Sequence, residues 1–415
     1  MITQKEEKFL VSLINKYNNN CNPPSKNQYP LLENGFAADD ILKGIEILLS
    51  GKITMSSITK KFENEFSKFV GSKYSLMVNS GSSANLLVSF ALINPLKKNK
   101  LLRNDEFIIP ALCWSTSLWP LIQAGLKPKF IDVDKKTFCI DPNLLMQKKY
   151  EKCKAIMNLH ILGNCSNVNK IVNFAKDKKM HLIEDTCEAL GSKYLGKSLG
   201  TFGDFGTFSF YYSHQITSGE GGMVVCKNKE DYNLLHTLRA HGWDRGLSGK
   251  NKNTFNFINS GFNLRPLDLT AAIGLNQLKR LNDMMATRKE NKDLITKSLK
   301  NSNKWKNQFQ FFEPNKNLNP SWFGFPLLIN KDYLNDKDSF IKNLNFKNIE
   351  TRPILSGNFL KQPASKLYGL DKNKSELRNT EEIDKTGFFI GLPTKKIEKT
   401  QLNFLIDNLL KIKKN

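Results

Sequence analysis

The segment SFYYSHQITSGEGG, residues 209–222, places one histidine between an apolar strand and a glycine cluster. Phe208, Phe210 and Tyr211 predict the end of a buried strand, and the glycines predict a turn after it. Such a turn delivers a side chain to the mouth of a sheet, and here that side chain is His214. An imidazole has an ordinary pKa of about 6.5, so it can take up a proton near neutral pH. His214 is therefore a candidate catalytic base.

Three further groups follow predicted strands. The run NSGSSAN, residues 79–85, begins a helix whose free N–H groups can bind phosphate, or whose serines simply cap it. Asp185 follows the strand in HLIEDTCEALG and can cap a helix or hold a protonated ring nitrogen. Trp114 in PALCWSTS can fill the core or stack on a planar ring. Taken singly, each pattern is weak.

The run GSKYLGKS, residues 191–198, matches the phosphate-loop pattern but lacks its context. That motif needs a buried strand before it and a helix after it, so that backbone N–H groups meet the phosphate. The following LGTFGDFG is too rich in glycine to begin a helix. We predict a hairpin here and no nucleotide hydrolysis.

Short apolar runs alternate with amphipathic patterns between residues 70 and 230. This alternation predicts an α/β fold with a mostly parallel sheet covered on both faces, whose ligands bind at the carboxyl ends of its strands. We predict an N-terminal helical extension over 1–27, in which Thr3 and Glu6 form a capping box, a large cofactor-binding domain over 28–290 and a small domain over 291–415.

Composition excludes several classes of protein. No run of eighteen apolar residues occurs in the 415-residue chain, and its start lacks the basic-then-apolar order of a signal peptide. The seven cysteines are scattered without a C-x-x-C pair, which argues against disulfides and metal. We therefore expect a cytoplasmic protein with no membrane contact and no metal site.

The net charge of +23 raises the question of a nucleic-acid partner. Only eight of the 62 basic residues are arginine, and the lysines are dispersed, whereas nucleic-acid readers cluster arginine with aromatic side chains. We expect no nucleic-acid partner, although the charge can attract an anionic substrate. Four arginines lie in motif-like segments, where a bidentate donor would matter: Arg239, Arg245, Arg265 and Arg352.

Together the motifs resemble one family. The chain from about 28 to 415 carries SGSSANL, EDTCEALGS, GTFGDFGTFSF, GEGGMVV, GFNLRPLDLTAAIGLNQL and SWFGFP. This set resembles the sugar-modifying, DegT/DnrJ/EryC1/StrS-type branch of the fold-type-I enzymes that use pyridoxal 5′-phosphate (PLP). The resemblance implies an aspartate-aminotransferase-like α/β fold with a mixed, mostly parallel sheet and a smaller C-terminal α/β domain. It also implies a homodimer with shared active sites.

In the aminotransferases of this family, the position six residues before the Glu of GEGG is the lysine that binds the cofactor covalently. Here that position, six before Glu220, is His214, and no lysine lies between Lys197 and Lys227. The resemblance implies non-covalent PLP or its amine form, pyridoxamine 5′-phosphate (PMP). Within the branch, a histidine here marks the sugar 3-dehydratases, which remove the C3 hydroxyl of a nucleotide-linked 4-keto-6-deoxy sugar and take an amino group from L-glutamate.

One kind of 3-dehydratase holds an iron–sulfur cluster on cysteines, but RAHGWDRGLSGKNKNTFNF, residues 239–257, has none. The elements RAHGW, SWFGF and RPI…GNFLK are similar to the metal-free kind, which acts on GDP-4-keto-6-deoxymannose in colitose synthesis for surface polysaccharides. The chain departs from that pattern in its N-terminal extension, in Gln215 and in Ser56. Hexose and heptose sugars therefore both stay open.

The resemblance also assigns site residues. Backbone groups of Gly81 and Ser82 with the Ser209 hydroxyl would hold the phosphate, helped by Asn263 of the partner subunit. Trp114 would stack on the ring, Asp185 would bind its nitrogen and Glu188 would lie near its hydroxyl. The implied substrate-contacting residues are Gly51, Lys52, Ile53, Thr54, Ser213, His241, Arg245, Arg265 and Glu350.

Three alternatives remain at this point: a CDP-sugar 3-dehydratase, a nucleotide-sugar aminotransferase, and an inactive relative that binds only sugar or cofactor. An aminotransferase would require another lysine near the reacting carbon. The retained phosphate, ring and nitrogen positions argue against an inactive relative.

Overall fold

The computed structural model describes residues 3–21, 27–32, 35–247, 255–372 and 376–415. Parts of the predicted N-terminal extension and of the segment 239–257 lie outside these ranges. The described helices are α1 (Gln4–Cys21), α2 (Ala38–Ser50), α3 (Ser57–Val70), α4 (Gly81–Leu92), α5 (Ser115–Gln123), α6 (Pro142–Gln147), α7 (Val168–Asp177), α8 (Lys229–Arg239), α9 (Asp268–Leu278), α10 (Leu281–Lys300), α11 (Lys337–Phe346), α12 (Pro363–Leu367), α13 (Arg378–Thr386) and α14 (Lys399–Leu409).

The described strands form three sheets. They are β1 (Tyr74–Val78), β2 (Glu106–Pro110), β3 (Lys127–Ile131), β4 (Cys153–Leu159), β5 (His181–Asp185), β6 (Lys193–Tyr194), β7 (Lys197–Ser198), β8 (Phe205–Ser209), β9 (Gly222–Cys226), β10 (Phe309–Phe311), β11 (Leu318–Asn319), β12 (Gly324–Ile329), β13 (Thr351–Arg352) and β14 (Gly387–Gly391). Short 3₁₀ helices span Ile161–Gly163, Lys331–Asp336, Phe359–Lys361 and Leu370–Lys372.

The main sheet has seven strands in the order β1-β9-β8-β5-β4-β2-β3. Strands β8, β5, β4, β2 and β3 pair in parallel, whereas β9 is antiparallel to both of its neighbours. All residues of β8 and β9 are buried, as expected of strands covered on both faces. The predicted mixed, mostly parallel sheet is confirmed.

A second, antiparallel sheet, β10-β12-β14-β13, lies in the C-terminal part of the chain. One continuous apolar core includes residues of both large sheets, among them Leu76, Phe107, Phe309 and Phe388. Helix α10 runs through position 290 without interruption, and the domain boundaries stay a prediction.

Local predictions near the chain start and in the glycine-rich segment agree with the structure. At the start of α1, the Thr3 N–H donates to Glu6 Oε2 at 2.7 Å and the Glu6 N–H donates to Thr3 Oγ1 at 3.4 Å, which is a capping box. Strands β6 and β7 pair antiparallel across residues 195–196, so GSKYLGKS is a hairpin. None of the described helices has the length and apolar character needed to cross a bilayer.

Candidate active site

The carboxyl ends of β4, β5 and β8 meet the first turns of α4 and α5 around a cavity of about 530 Å³. The predicted residues that line this cavity, called the cofactor cavity below, are Gly81, Ser82, Trp114, Asp185, Glu188, Ser209, Ser213 and His214. Parallel strands end at one edge of a sheet, which is why residues from four separate segments converge here.

The start of α4 approaches β8 closely. A Cβ on residue 81 would lie 2.5 Å from Ser209 Cβ, so only glycine lets the helix terminus come this near the strand end. The Ser80 Oγ accepts the Ser83 N–H at 3.0 Å and caps the helix. The helix N-terminus and the neighbouring Ser82 and Ser209 hydroxyls suit a phosphate.

Asp185 is held in one orientation from three sides. Its Oδ2 accepts hydrogen bonds from Asn85 Nδ2 at 2.9 Å and Ser117 Oγ at 2.7 Å, and its Oδ1 accepts the Cys187 N–H at 3.2 Å. Asn85 is fixed in turn, because its Oδ1 accepts the Thr207 hydroxyl at 2.7 Å. Such a fixed carboxylate suits a protonated ring nitrogen. We did not predict Asn85 or Ser117, although Asn85 stands inside the quoted SGSSANL run.

The Glu188 carboxyl has few hydrogen-bond partners. Burial raises the pKa of Glu188 to about 8; the hydrogen bond from the Leu162 N–H, at 2.9 Å, opposes this rise, and the charge of Asp185 adds to it. At pH 7 the group is therefore protonated and can donate a hydrogen bond to an oxygen in the cavity.

A buried histidine–glutamate pair lies beneath the same cavity and was not predicted. His160 Nε2 lies 2.9 Å from Glu184 Oε1. Burial alone would raise the pKa of Glu184, but the hydrogen bonds from His160 and from the Gly203 and Gly200 N–H groups hold it below its ordinary value. Glu184 directly precedes Asp185, so the pair supports the strand end that carries Asp185.

His214 lies in the turn after β8, where its N–H donates to the Tyr211 carbonyl at 3.0 Å. Its ring stands edge-on to Phe323, with 5.0 Å between ring centroids, and Nδ1 has no hydrogen-bond partner among the described residues. Burial lowers the pKa of His214 to about 3, and the charge of Arg288 adds to this effect. The ring is therefore neutral at pH 7, and it is a weaker base than the ordinary imidazole expected from the sequence.

The described residues that line the cofactor cavity include no lysine. Gln215 is one of the residues at which the chain departs from the family pattern. Its Nε2 donates to the Glu188 carbonyl at 2.6 Å and to the Ser321 carbonyl at 3.3 Å, and these hydrogen bonds fix the turn that carries His214. Trp114 is 53% exposed beside the cavity, which leaves its indole face open for a planar ring.

Glu350 is not among the described residues that line the cofactor cavity. Its Oε2 accepts the N–H of Leu31, a lining residue, at 2.8 Å. Arg352, two residues further on, does line the cavity, and we had not placed it among the site residues. Its position in an arginine-poor chain was the available signal.

The remaining predicted residues lie elsewhere. Thr54, Arg245, Asn263 and Arg265 line a separate cavity of about 670 Å³, the second cavity below, which shares no described lining residue with the first. Arg265 Nε donates to Asn263 Oδ1 at 3.1 Å. The predicted residues that line neither cavity are Gly51, Lys52, Ile53, His241 and Glu350.

Two observations support a fit to PLP or PMP. Gly81 lets the N-terminus of α4 lie close to Ser209, and hydrogen bonds fix the orientation of the Asp185 carboxylate. The cavity offers a phosphate cradle, an exposed aromatic face and a neutral base. Among the described residues, no group of three metal-ligating side chains occurs.

Residues 37–402 match the DegT/DnrJ/EryC1/StrS aminotransferase family. The GDP-4-keto-6-deoxy-D-mannose 3-dehydratase of Escherichia coli O55:H7 is 39% identical over 376 residues, which cover 88% of this chain and 95% of that protein. The solved structure of the E. coli GDP-4-keto-6-deoxy-D-mannose-3-dehydratase with hydrated PLP is 36% identical, with a TM-score of 0.84 over 92% of this chain and 99% of that one.

A GDP-4-keto-6-deoxymannose-3-dehydratase structure with a trapped PLP–glutamate geminal diamine is 35% identical, with a TM-score of 0.83 over 92% of this chain and all (100%) of the other. These comparisons confirm the predicted PLP-dependent, aspartate-aminotransferase-like fold.

Proposed function

Because the chain belongs to the DegT/DnrJ/EryC1/StrS aminotransferase family, we propose that it is a PLP-dependent sugar 3-dehydratase. It removes the C3 hydroxyl of a GDP-linked 4-keto-6-deoxy sugar, and L-glutamate supplies the amino group. Relatives with this activity in their names, and a solved relative with a PLP–glutamate adduct, support the proposal. The sugar product serves surface-polysaccharide synthesis.

One observation carries the reaction type. The position that would hold a covalent lysine is His214, and no lysine is among the described residues that line the cofactor cavity. An aminotransferase needs a mobile amine to return a proton to the sugar carbon. A neutral imidazole held between Phe323 and Tyr211 can take a proton, but its short side chain is poorly placed to return that proton to the sugar carbon.

Each residue of the cofactor cavity then has a defined task. PLP, when bound, supplies an electron sink conjugated to the substrate carbon. Gly81, Ser82 and Ser209 bind the phosphate, and Asp185 keeps the ring nitrogen protonated. Trp114 stacks on the cofactor ring, and the protonated Glu188 carboxyl donates a hydrogen bond to the hydroxyl oxygen of that ring.

His214 accepts the proton on its imidazole ring, which lines the cofactor cavity. When protonation at the sugar's C4 is slow, the electron pair expels the hydroxyl at C3, which is the β position. The same base can then protonate the departing hydroxyl. The residues thus favour elimination over amination.

We also propose that the enzyme is a homodimer whose active sites combine both chains. The cofactor cavity contains His214, whereas the second cavity contains Arg245, Asn263 and Arg265. In a dimer with shared sites, the cofactor cavity of one chain would meet the second cavity of its partner, which brings all four residues into one site. Asn263 of the partner subunit would then reach the phosphate.

The six cysteines at described positions outside α1 are unpaired, which suits the reducing cytoplasm proposed as the enzyme's compartment. The proposed partners are the nucleotide sugar and L-glutamate, with no nucleic acid and no membrane.

The test is product analysis. Purified protein is incubated with PLP, L-glutamate and GDP-4-keto-6-deoxymannose, and the sugar is identified by mass spectrometry and NMR. We expect a 3-deoxy sugar, with 2-oxoglutarate formed from glutamate. A 4-amino sugar would identify an aminotransferase instead, and unchanged GDP-, CDP- and dTDP-linked 4-keto sugars would contradict catalysis.

A further inference from the structure

Arg288 is a charged side chain in the interior of the protein. It lies on α10 and is the largest of the fully buried side chains. Burial lowers the pKa of Arg288 to about 10, and no carboxylate among the described residues opposes this shift, so the group is charged at pH 7 without an acidic partner. Burying an unpaired charge costs folding free energy. The chain therefore keeps a positive charge here at a cost in stability.

The Arg288 guanidinium bridges two segments that are far apart in the sequence. Its Nε donates to the Leu392 carbonyl, directly after β14, at 3.1 Å. Its Nη2 donates to the His214 carbonyl at 3.3 Å. Because the guanidinium is planar and rigid, one side chain fixes the backbone of the His214 turn relative to the C-terminal sheet.

The imidazole of His214 is held from the same direction. Its ring stands edge-on to Phe323, which directly precedes β12. Phe323 packs in turn against Phe389 of β14, with 5.9 Å between ring centroids. Both the backbone and the ring of His214 are thus positioned by α10 and by the C-terminal sheet, outside the main sheet that carries the turn.

Arg288 also acts on the imidazole through its charge. Burial is the main cause that lowers the pKa of His214 to about 3, and the Arg288 charge is the second cause. A positive neighbour disfavours the imidazolium, so His214 gives up a bound proton readily. The other ionisable groups that line the cavity around His214 are His160, Asp185, Cys187, Glu188, Tyr211, Glu220 and Arg352.

We propose that Arg288 is a positioning residue for His214, a role that rests on the proposed function. It holds the His214 turn through the His214 carbonyl, and its charge favours transfer of the proton from the imidazolium to the departing C3 hydroxyl, which leaves as water. Arg288 is not among the described residues that line the cofactor cavity, so it acts through His214 and not on the substrate.

Asn291, one turn further along α10, provides a matched control. It is also buried, and its Nδ2 donates to the Pro393 carbonyl at 2.9 Å and to the Lys395 carbonyl at 2.8 Å. Asn291→Leu therefore removes hydrogen bonds to the same C-terminal segment, and neither bond involves the His214 turn. A loss that is merely structural should appear in both variants.

The first measurement is a single turnover of PMP-loaded protein with the 4-keto sugar. For Arg288→Met we expect the rate at saturating sugar to fall about 10- to 100-fold, because the base is displaced. The sugar concentration that gives half of this rate should stay within about twofold of wild type. Arg288→Lys keeps the charge but cannot bridge both carbonyls, and we expect a fall of about fivefold. Asn291→Leu should keep the wild-type rate within about twofold.

The second measurement needs neither cofactor nor turnover. The five histidines are labelled with ¹³C at Cε1, and the His214→Asn variant identifies the His214 signal in NMR spectra of the folded protein. As the pH is lowered, protonation of His214 should begin about one pH unit higher in Arg288→Met than in wild type, because a positive neighbour has been removed. Arg288→Lys and Asn291→Leu should titrate like wild type.

Several results would overturn the proposal. They are a wild-type rate in Arg288→Met, an equal loss of rate in Asn291→Leu, and an unchanged His214 titration in Arg288→Met. If Arg288→Met does not fold, a wild-type rate in Arg288→Lys would overturn the proposal as well. Failure of the proposed function would look different, since wild-type protein loaded with PMP would then not deoxygenate the sugar, whereas the titration would still report the effect of Arg288 on His214.

Discussion

The two cavities differ in how far one chain completes them. In the cofactor cavity, Asp185 is 7% exposed, and its carboxylate accepts hydrogen bonds from three other groups of the same chain. In the second cavity, Asn263 and Arg265 are exposed and bond mainly to each other. A single chain therefore fixes the side chains of the cofactor cavity, whereas the exposed side chains of the second cavity stay open to a second surface.

The difference follows from the elements that carry the residues. The cofactor cavity is built on the ends of adjacent parallel strands and on two helix N-termini, which fix side chains within the core. The second cavity is lined by residues of α3 and α8 and by the segments before α3 and α9, which are joined by bridges such as Thr54 to Leu267 and Ala240 to Asn263. Within this lining, Glu63 and Arg239 form a buried ion pair at 2.7 Å. The Arg245, Asn263 and Arg265 side chains are exposed and can meet a ligand or a partner chain.

Removing the base should have the largest effect on activity. His214→Asn should lower the rate of deoxygenation by about 10²–10⁴-fold, because general-base catalysis of this kind contributes that much. PMP affinity and the thermal unfolding midpoint should stay close to wild type, as measured by titration and calorimetry. His181→Asn is the control, since His181 bonds to the Asn99 carbonyl away from the cavity. Wild-type turnover in His214→Asn would contradict the role of the histidine.

Mixing two inactive variants would test whether the two cavities of different chains form one site. His214→Asn and Arg265→Gln proteins are each expected to be nearly inactive. In a mixed dimer with shared sites, one site carries both substitutions and the other carries neither. Random exchange of subunits should therefore restore about a quarter of wild-type activity. No recovery, with mixed dimers demonstrated by mass spectrometry, would place both residues in the same chain's site.

A smaller effect concerns the stability of the cofactor-free protein. The pKa of Glu188 rises on folding from 4.5 to about 8, so the folded protein binds one more proton than the unfolded chain between these pH values. The stability contribution of this group is therefore present at low pH and is lost as the pH rises toward 8. The free energy of unfolding of wild type, relative to Glu188→Gln, should fall over that range in urea titrations.

Glu220→Gln, at the same cavity, is the matched control for this measurement. Parallel pH profiles for wild type and Glu188→Gln would show that the carboxyl is not desolvated as the structure indicates.

Features set by nearby residues could be predicted from the sequence. The alternation of apolar runs predicted the sheet, and the glycine cluster after β8 predicted the turn that carries His214. The hairpin in GSKYLGKS followed from its glycine-rich neighbours. These features depend on propensities and periods within a few residues.

Features that depend on distant contacts could not be predicted. Asn85 and Ser117 reach Asp185 across 100 and 68 residues of sequence, and either could have been an ordinary helix residue. Arg352 reaches the cofactor cavity from the C-terminal sheet, which no local pattern reveals. The division of the predicted residues between two cavities likewise depends on tertiary folding.

The most direct test is reductive labelling of wild type and His214→Lys. Both proteins are loaded with PLP, treated with borohydride and digested, and pyridoxyl-bearing peptides are identified by mass spectrometry. We predict no labelled lysine in wild type and a label at position 214 in the variant, because residue 214 lines the cofactor cavity and the described lining residues include no lysine. A labelled lysine in the wild-type cavity, or a folded variant that binds PLP but is not labelled at 214, would contradict the account.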